Sequence, residues 1–269
     1  MKLVILYSFT FLILGCTMST NNSISETNNK NSSNPFFEKS KLYMGFPPFD
    51  LIKNEHYLPA FLMGMSKQLD EIDLITNNKE EPTFDNTIVA MEMSGELLNR
   101  VAAVFFALTS ANTNDEMEKI RAEIAPKLSA HSDKILLNPE LFKRVEEIYT
   151  NRESIGLNDE SILLIEKYYI DFVRSGSKLS IKEKDRLKSI NGEISVLQTK
   201  FSQNVLKEVN ASAVIFDNRK DLDGLPNTVI ESAANEANSR GLNGKYVIAL
   251  KNTSGHPSLS TLTNRSSRE

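Results

Sequence analysis

The 269-residue chain has no tryptophan, three histidines and one cysteine. A single thiol excludes an internal disulfide framework. Aromatic residues make up 8% of the chain, so stacking platforms for bases or sugars are poorly supplied. Positive charge is not in excess either. The formal net charge is −4 and the sequence pI about 5.6, which gives no reason to expect nucleic acid as a partner, since its binders carry a basic patch. The histidines are His56, His131 and His256, far apart, and none has a histidine or cysteine at metal-ligand spacing. Zinc hydrolysis commonly needs two histidines four apart on one helix with a glutamate as base. No HExxH occurs anywhere in the 269 residues. Each histidine is therefore read as a surface or packing residue, with His131, three residues after Leu128, bordering the buried face of its helix.

Other chemistry fails on register. Asp221, Asp223 and Gly224 have the look of a calcium loop, but aligning the glycine puts Arg219 and Ile230 where the first and last ligands should be acidic. Gly241 and Gly244 are too few for a phosphate cradle and lie between a helix and a strand. No serine sits in a nucleophile-elbow pattern. The mixed-sign run from Lys182 to Arg186 reads as a solvated helix face. Met63, Met65, Met91 and Met93 read as core filler. No catalytic residue and no metal ligand is assigned in this chain.

What is present begins with 40% hydrophobic and 25% charged residues, an ordinary globular balance. Residues 1–16, MKLVILYSFTFLILGC, place a lysine before an apolar run that is too short to span a bilayer comfortably and has the shape of a signal-peptide core. Ile13-Leu14-Gly15-Cys16 resembles a bacterial lipoprotein cleavage box, with Cys16 as the lipid-attachment residue. A plain secretory signal with an incidental cysteine is the other reading. Residues 17–34 are dense in Asn, Ser and Thr and are expected to form a disordered tether. The organisation expected is a signal peptide over 1–15, a lipidated cysteine and tether over 16–34, and a helical domain over 35–269, placed in the bacterial cell envelope on the periplasmic side of a membrane.

From Pro35 onward the apolar period is 3.6. Leu58, Phe61, Leu62, Met65, Leu69 and Ile72 form one stripe, with Pro59 in its first turn. A second helix is expected from about Asp85 to Ser110, faced by Ile88, Met91, Leu98, Val101, Phe105 and Leu108. Thr113 and Glu116 have capping-box spacing and open a third, which Pro126 should kink or divide. Asn138-Pro139 starts a helix carrying Phe142, Val145 and Ile148. Asn158 opens another that Gly176 closes. The longest runs from Ser180, boxed by Glu183, to about Glu208, with Leu187, Ile190, Ile194, Leu197, Phe201 and Val205 along one face. Only residues 213–216 and 246–250 look like strands, with a helix from about Pro226 to Arg240 between them. After His256-Pro257, the spacing of Leu259, Leu262 and Arg265 predicts the first turns of one more helix. The fold class is mainly α, with a small two-stranded β element near residues 213–250.

Several phrases are more specific than periodicity. NPFF at 34–37 leads to PPFD at 47–50, EPTFDNTI at 81–88 and AVFFALTSANTN at 103–114. EIAPKLSAHSDKILLNPELFKRV follows at 123–145, then YYIDFVRSGSKLS at 168–180, KFSQNVL at 200–206 and KYVIALKNTSGHPSLSTLTNR at 245–265. In this order they resemble the N-terminal part of bacterial peptidyl-dipeptidases (dipeptidyl carboxypeptidases), within the thimet oligopeptidase and oligopeptidase A family. The resemblance implies a zinc metallopeptidase of two helical lobes around a deep channel. It also implies short unstructured peptides as substrates, dipeptides released from free C-termini, and an HExxH helix much further along a longer chain. None of those zinc ligands can be placed on a residue here. The chain is thus expected to be an N-terminal fragment, truncated before the catalytic region and inactive alone. Two alternatives stay open: a genuine short, non-catalytic lipoprotein that binds peptides or a partner, and an oligopeptidase A-like endopeptidase branch.

Overall fold

The structure is a computed structural model that describes residues 34–250 and 256–269. The signal segment, Cys16 and the expected tether as far as residue 33 lie outside the described residues; Asn34, expected as the last residue of the tether, is instead buried, its amide donating to the His56 carbonyl at 2.8 Å. The chain is mostly helical, with one two-stranded antiparallel sheet, as the sequence pattern requires.

Helix α1 spans Asn54–Thr76. Its start is closed by His56, whose Nδ1 accepts the Lys53 N–H at 3.1 Å. Pro59 therefore falls in the second turn rather than the first. The carbonyl it leaves unpaired belongs to Glu55, which is exposed to water, so the helix tolerates it. The buried face is rotated from the expected stripe: Tyr57, Ala60, Gly64 and Ile75 join Phe61, Met65 and Ile72, while Leu62 points out.

The expected single helix from Asp85 to Ser110 is two. A π-helical turn, Phe84–Val89, runs into Ala90–Glu92; together these form α2. Thr83 and Asn86 cap each other at its start, at 3.1 and 2.8 Å. The chain then breaks, and α3 runs Glu96–Ala111 from Gly95 at φ 74°. That left-handed conformation favours glycine, and a Cβ there would collide with Gln68 of α1. Helices α1 and α3 pack antiparallel, with Tyr57 against Phe105 at 4.9 Å between ring centres and Gly64 against the Leu98 backbone.

Helix α4, Asp115–Leu136, is capped by Asn114, whose side chain accepts the Met117 N–H at 3.0 Å. The cap is one residue later than the expected Thr113, which bonds the Glu118 side chain instead. Pro126 does not divide this helix. The carbonyl that loses its partner is that of Ala122, which is exposed, so water can satisfy it. Helices α5, Pro139–Asn151, and α6, Asp159–Arg174, follow behind Asn138 and Asn158 caps. The Ser177 N–H then returns to the Phe172 carbonyl and that of Gly176 to Val173, ending α6 with glycine in the left-handed region. Helix α7, Ile181–Ala211, has the Ser180–Glu183 capping box. Its 31 residues make a rod of about 46 Å.

Strand β1, Val214–Phe216, pairs antiparallel with β2, Tyr246–Ile248, with Ile215 opposite Val247. Between them lies α8, Asn227–Ser239. After 256 the expected single helix is two short turns, α9 (Pro257–Thr261) and α10 (Arg265–Arg268). They are separated where Leu262 enters a core with Phe216, Leu222 and Ile230, and where Thr263 bonds the Asp223 carbonyl through N–H and hydroxyl at 2.8 and 3.0 Å.

The apolar side chains gather in three cores. The first joins α1, α3 and the start of α4 through Phe36, Phe61, Val101 and Ile124. The second joins the end of α1, α2, α5 and α6 through Ile72, Ile88, Leu141 and Phe172. The third lies under the β element. Beside the second, the guanidinium of buried Arg144 bonds the Asn78 and Glu80 carbonyls, Thr87 and Asn86 at 2.8–3.2 Å. It thereby pins the 78–87 connection to α5.

Candidate functional site

The three histidines sit on different elements with different tasks. His56 caps α1, and its Nε2 is 4.0 Å from Glu55. His256 is exposed at φ 42° just before α9. His131 is 6% exposed, and its Nε2 lies 2.7 Å from Gln68 Oε1. That bond requires the proton on Nε2, which leaves buried Nδ1 as an unpartnered acceptor. Burial, then the nearby Lys134 cation, hold the imidazole below its ordinary pKa. Gln68 continues to Ser94 at 3.3 Å, and Glu71 accepts the Gly95 N–H at 2.7 Å. This chain of bonds ties α1, α3 and α4 together where the glycine break occurs. It is closed to a substrate, so its chemistry is structural.

Tyr168 donates to Glu92 Oε1 at 2.7 Å. Burial first, and then that bond, push its phenol well above the usual range, which makes it a donor and not a base. Asp223 and Gly224, considered above as part of a calcium loop, form a tight turn against Thr261 and Thr263, where a Cβ on Gly224 would strike the Thr261 carbonyl. Among the described residues, no group of three or more His, Cys, Asp or Glu side chains is placed to hold a metal ion, and no helix is long and apolar enough to cross a membrane.

The concave surfaces of the described residues include two bordered by exposed apolar side chains. One, of about 640 Å³, lies between the β element and the 256–269 segment, against Phe216, Ile248, Leu250, Leu259 and Leu262. The other, of about 500 Å³, is a groove between α3, α4 and α7, bordered by Phe106, Arg121, Ala125, Gln198 and Phe201. It opens onto the face of α7 that carries the apolar series read from sequence. Helix α7 packs antiparallel on α4 through polar side chains. Lys184 reaches the Leu137 carbonyl at 3.2 Å, Asn191 the Asp133 carboxylate at 2.7 Å, and Gln203 the Glu118 carbonyl at 2.9 Å. Thr199 is the one residue of α7 that is fully buried. Leu187 and Ile190, at the start of the apolar stripe, are half-buried, and the rest of it faces outward: Ile194 is 44% exposed, Leu197 63%, Phe201 70% and Val205 44%. The polar series Asn191, Ser195, Thr199, Gln203, at spacings of four, was the signal in the sequence for this orientation.

No protein-family model matches the chain. Known proteins do resemble it. It is 41% identical over 236 residues to the dipeptidyl carboxypeptidase of Escherichia coli (strain K12), covering 88% of this chain and 35% of that enzyme. The Salmonella typhimurium dipeptidyl carboxypeptidase is 40% identical with the same coverage. Oligopeptidase A of Haemophilus influenzae is 28% identical over 84% of this chain and 33% of its own length. The chain therefore spans about a third of the length of these relatives.

Proposed function

We propose that this chain, similar over most of its length to dipeptidyl carboxypeptidases, is the N-terminal portion of a zinc-dependent peptidyl-dipeptidase. In its long form that enzyme hydrolyses short unstructured peptides and releases dipeptides from their C-termini. The observation that carries the proposal is the 41% identity over 236 residues, against 28% to oligopeptidase A. That difference favours the dipeptidyl branch over the endopeptidase branch.

The zinc that the resemblance implies does not fit the residues described here. His131 is committed to Gln68 and is sealed from solvent, His56 is committed to the α1 cap, and no ligand triad surrounds either. Hydrolysis is accordingly assigned to sequence outside these 269 residues, and the 269-residue chain is inactive alone. The part that these residues play is mechanical. Three cores and the long α7 rod form a rigid wall for the channel that admits extended peptides and excludes folded ones. Cys16 carries a lipid that holds the protein at the envelope membrane. The test is the product of the natural locus: a chain longer than 269 residues, with an HExxH downstream of Glu269, is expected. A verified stop codon after Glu269 would sink the proposal. It would leave the non-catalytic lipoprotein, a reading supported by the side-chain caps on α4, α5, α6 and α7.

A further inference from the structure

We infer that the outward apolar stripe of α7 is the seat for an apolar surface of the polypeptide that makes up the remaining two thirds of the relatives' length. The inference rests on the proposed function for the existence of that polypeptide, and on four observations for its place. First, beyond Ile190 α7 packs on its own domain through its polar side, and only Leu187 and Ile190, at the start of the stripe, are half-buried. At 3.6 residues per turn, the stripe centred on Ile194 and Phe201 lies about 110° round the helix from the line facing α4. Second, from Ile194 to Val205, the exposed part of the stripe, that face carries no charged residue, over about 16 Å of helix. A solvated helix face of this length ordinarily carries charges. Third, Ile194, Leu197, Phe201 and Val205 stand three or four residues apart and are neighbours on the helix surface, and Phe201 borders a groove whose far side includes Phe106, itself 39% exposed. Along α7 the exposed apolar side chains are therefore contiguous and not a scatter of single residues, and contiguous patches of this kind mark interfaces. Fourth, the relatives are about three times as long as the matched region, which supplies an occupant attached to the same molecule. A partner on the same chain seats against an apolar stripe without the entropy cost of a bimolecular encounter.

The test uses the natural product and the 269-residue chain, each with one introduced cysteine and with Cys16→Ser: Phe201→Cys on the stripe, or Lys200→Cys on the exposed charged side of the same helix. The rate of maleimide labelling is measured. Both cysteines are expected to label quickly in the 269-residue chain. In the longer product Phe201→Cys should slow at least tenfold at every protein concentration, in detergent and with added lipid vesicles alike, while Lys200→Cys is unchanged. Equal labelling of the two cysteines in the longer product would overturn the inference and leave the proposed function standing. Protection that appears only at high protein concentration would assign the stripe to a second copy. Protection that appears only with vesicles would assign it to the membrane. Either result also overturns the inference. An intact mass showing no polypeptide beyond residue 269 would overturn both, and it is read separately from the labelling.

Discussion

Substituting alanine for glycine should have opposite effects at two helical positions of this protein, because one has a neighbour and the other has none. Gly64 lies inside α1, and a Cβ there would sit 2.8 Å from Leu98 Cα and 2.9 Å from Leu98 N. Carbon atoms pack without repulsion at about 3.5–4.0 Å, so α1 and α3 would have to separate by nearly 1 Å. The contacts of Tyr57 and Phe61 with Phe105 would loosen with them. Overpacking of this kind costs about 1–3 kcal/mol. The high end applies because the obstruction is backbone and cannot swing aside. Against it stands the helix propensity of alanine over glycine, worth about 1 kcal/mol. Gly64→Ala should therefore destabilise by about 2 kcal/mol net. Gly192 of α7 has nothing within 4 Å of its Cβ position, so Gly192→Ala keeps the propensity gain of about 1 kcal/mol. For a domain of this size about 2–4 °C accompanies each kcal/mol. Thermal unfolding followed by circular dichroism at 222 nm should show Gly64→Ala melting about 4–8 °C lower and Gly192→Ala about 2–4 °C higher. A Gly64→Ala variant as stable as the parent would refute the close α1–α3 contact on which the first core depends.

Two further outcomes follow from buried polar groups. His131 is held neutral, with its folded pKa below the ordinary 6.5, so the unfolded chain binds the proton more readily than the folded one. Its contribution to stability is complete above about pH 6.5 and is lost as pH falls from there toward the lowered folded value. Urea midpoints at pH 7.5 and 5.5 should fall further for the parent than for His131→Gln, and equal falls would show that the imidazole is not sealed. Arg144→Lys replaces a planar fork that reaches four acceptors with a point donor that cannot span them. The loss should be about 2–4 kcal/mol, seen in the same urea titration, and a variant within 0.5 kcal/mol of the parent (about the scatter of a surface change) would contradict the role given to Arg144.

Much of the architecture was legible because its signals are local. The Asn138-Pro139 start, the Asn158 cap and the Ser180–Glu183 box depend on atoms three or four residues apart, and each stands where the spacing put it. The two strands and the helix between them were legible from composition. What sequence missed depends on distant neighbours. The break at Gly95 sits against Gln68 of another helix, which leaves no room for a Cβ there. Pro126 is tolerated because Ala122 happens to face water. Hydrophobic spacing placed the apolar residues of α7 along one line but did not set which way that line faces. The folded domain packs a polar line of α7 and leaves the apolar residues from Ile194 to Val205 outward. The candidate site was less legible still. No local spacing assigned a catalytic residue or metal ligand, and Cys16, the lipid-attachment residue expected from sequence, lies outside the described residues.

The central claim is that these residues are the N-terminal wall of a peptidyl-dipeptidase whose catalytic residues lie elsewhere in the same molecule. It is tested most directly by incubating the natural locus product and the 269-residue chain with a short peptide in zinc-containing buffer. The peptide is supplied once with a free C-terminus and once amidated, and released fragments are identified by mass. The account predicts C-terminal dipeptides from the free peptide with the natural product, none from the amidated peptide, and no cleavage by the 269-residue chain. Dipeptide release by the 269-residue chain alone, or no release by a natural product containing HExxH, would contradict it.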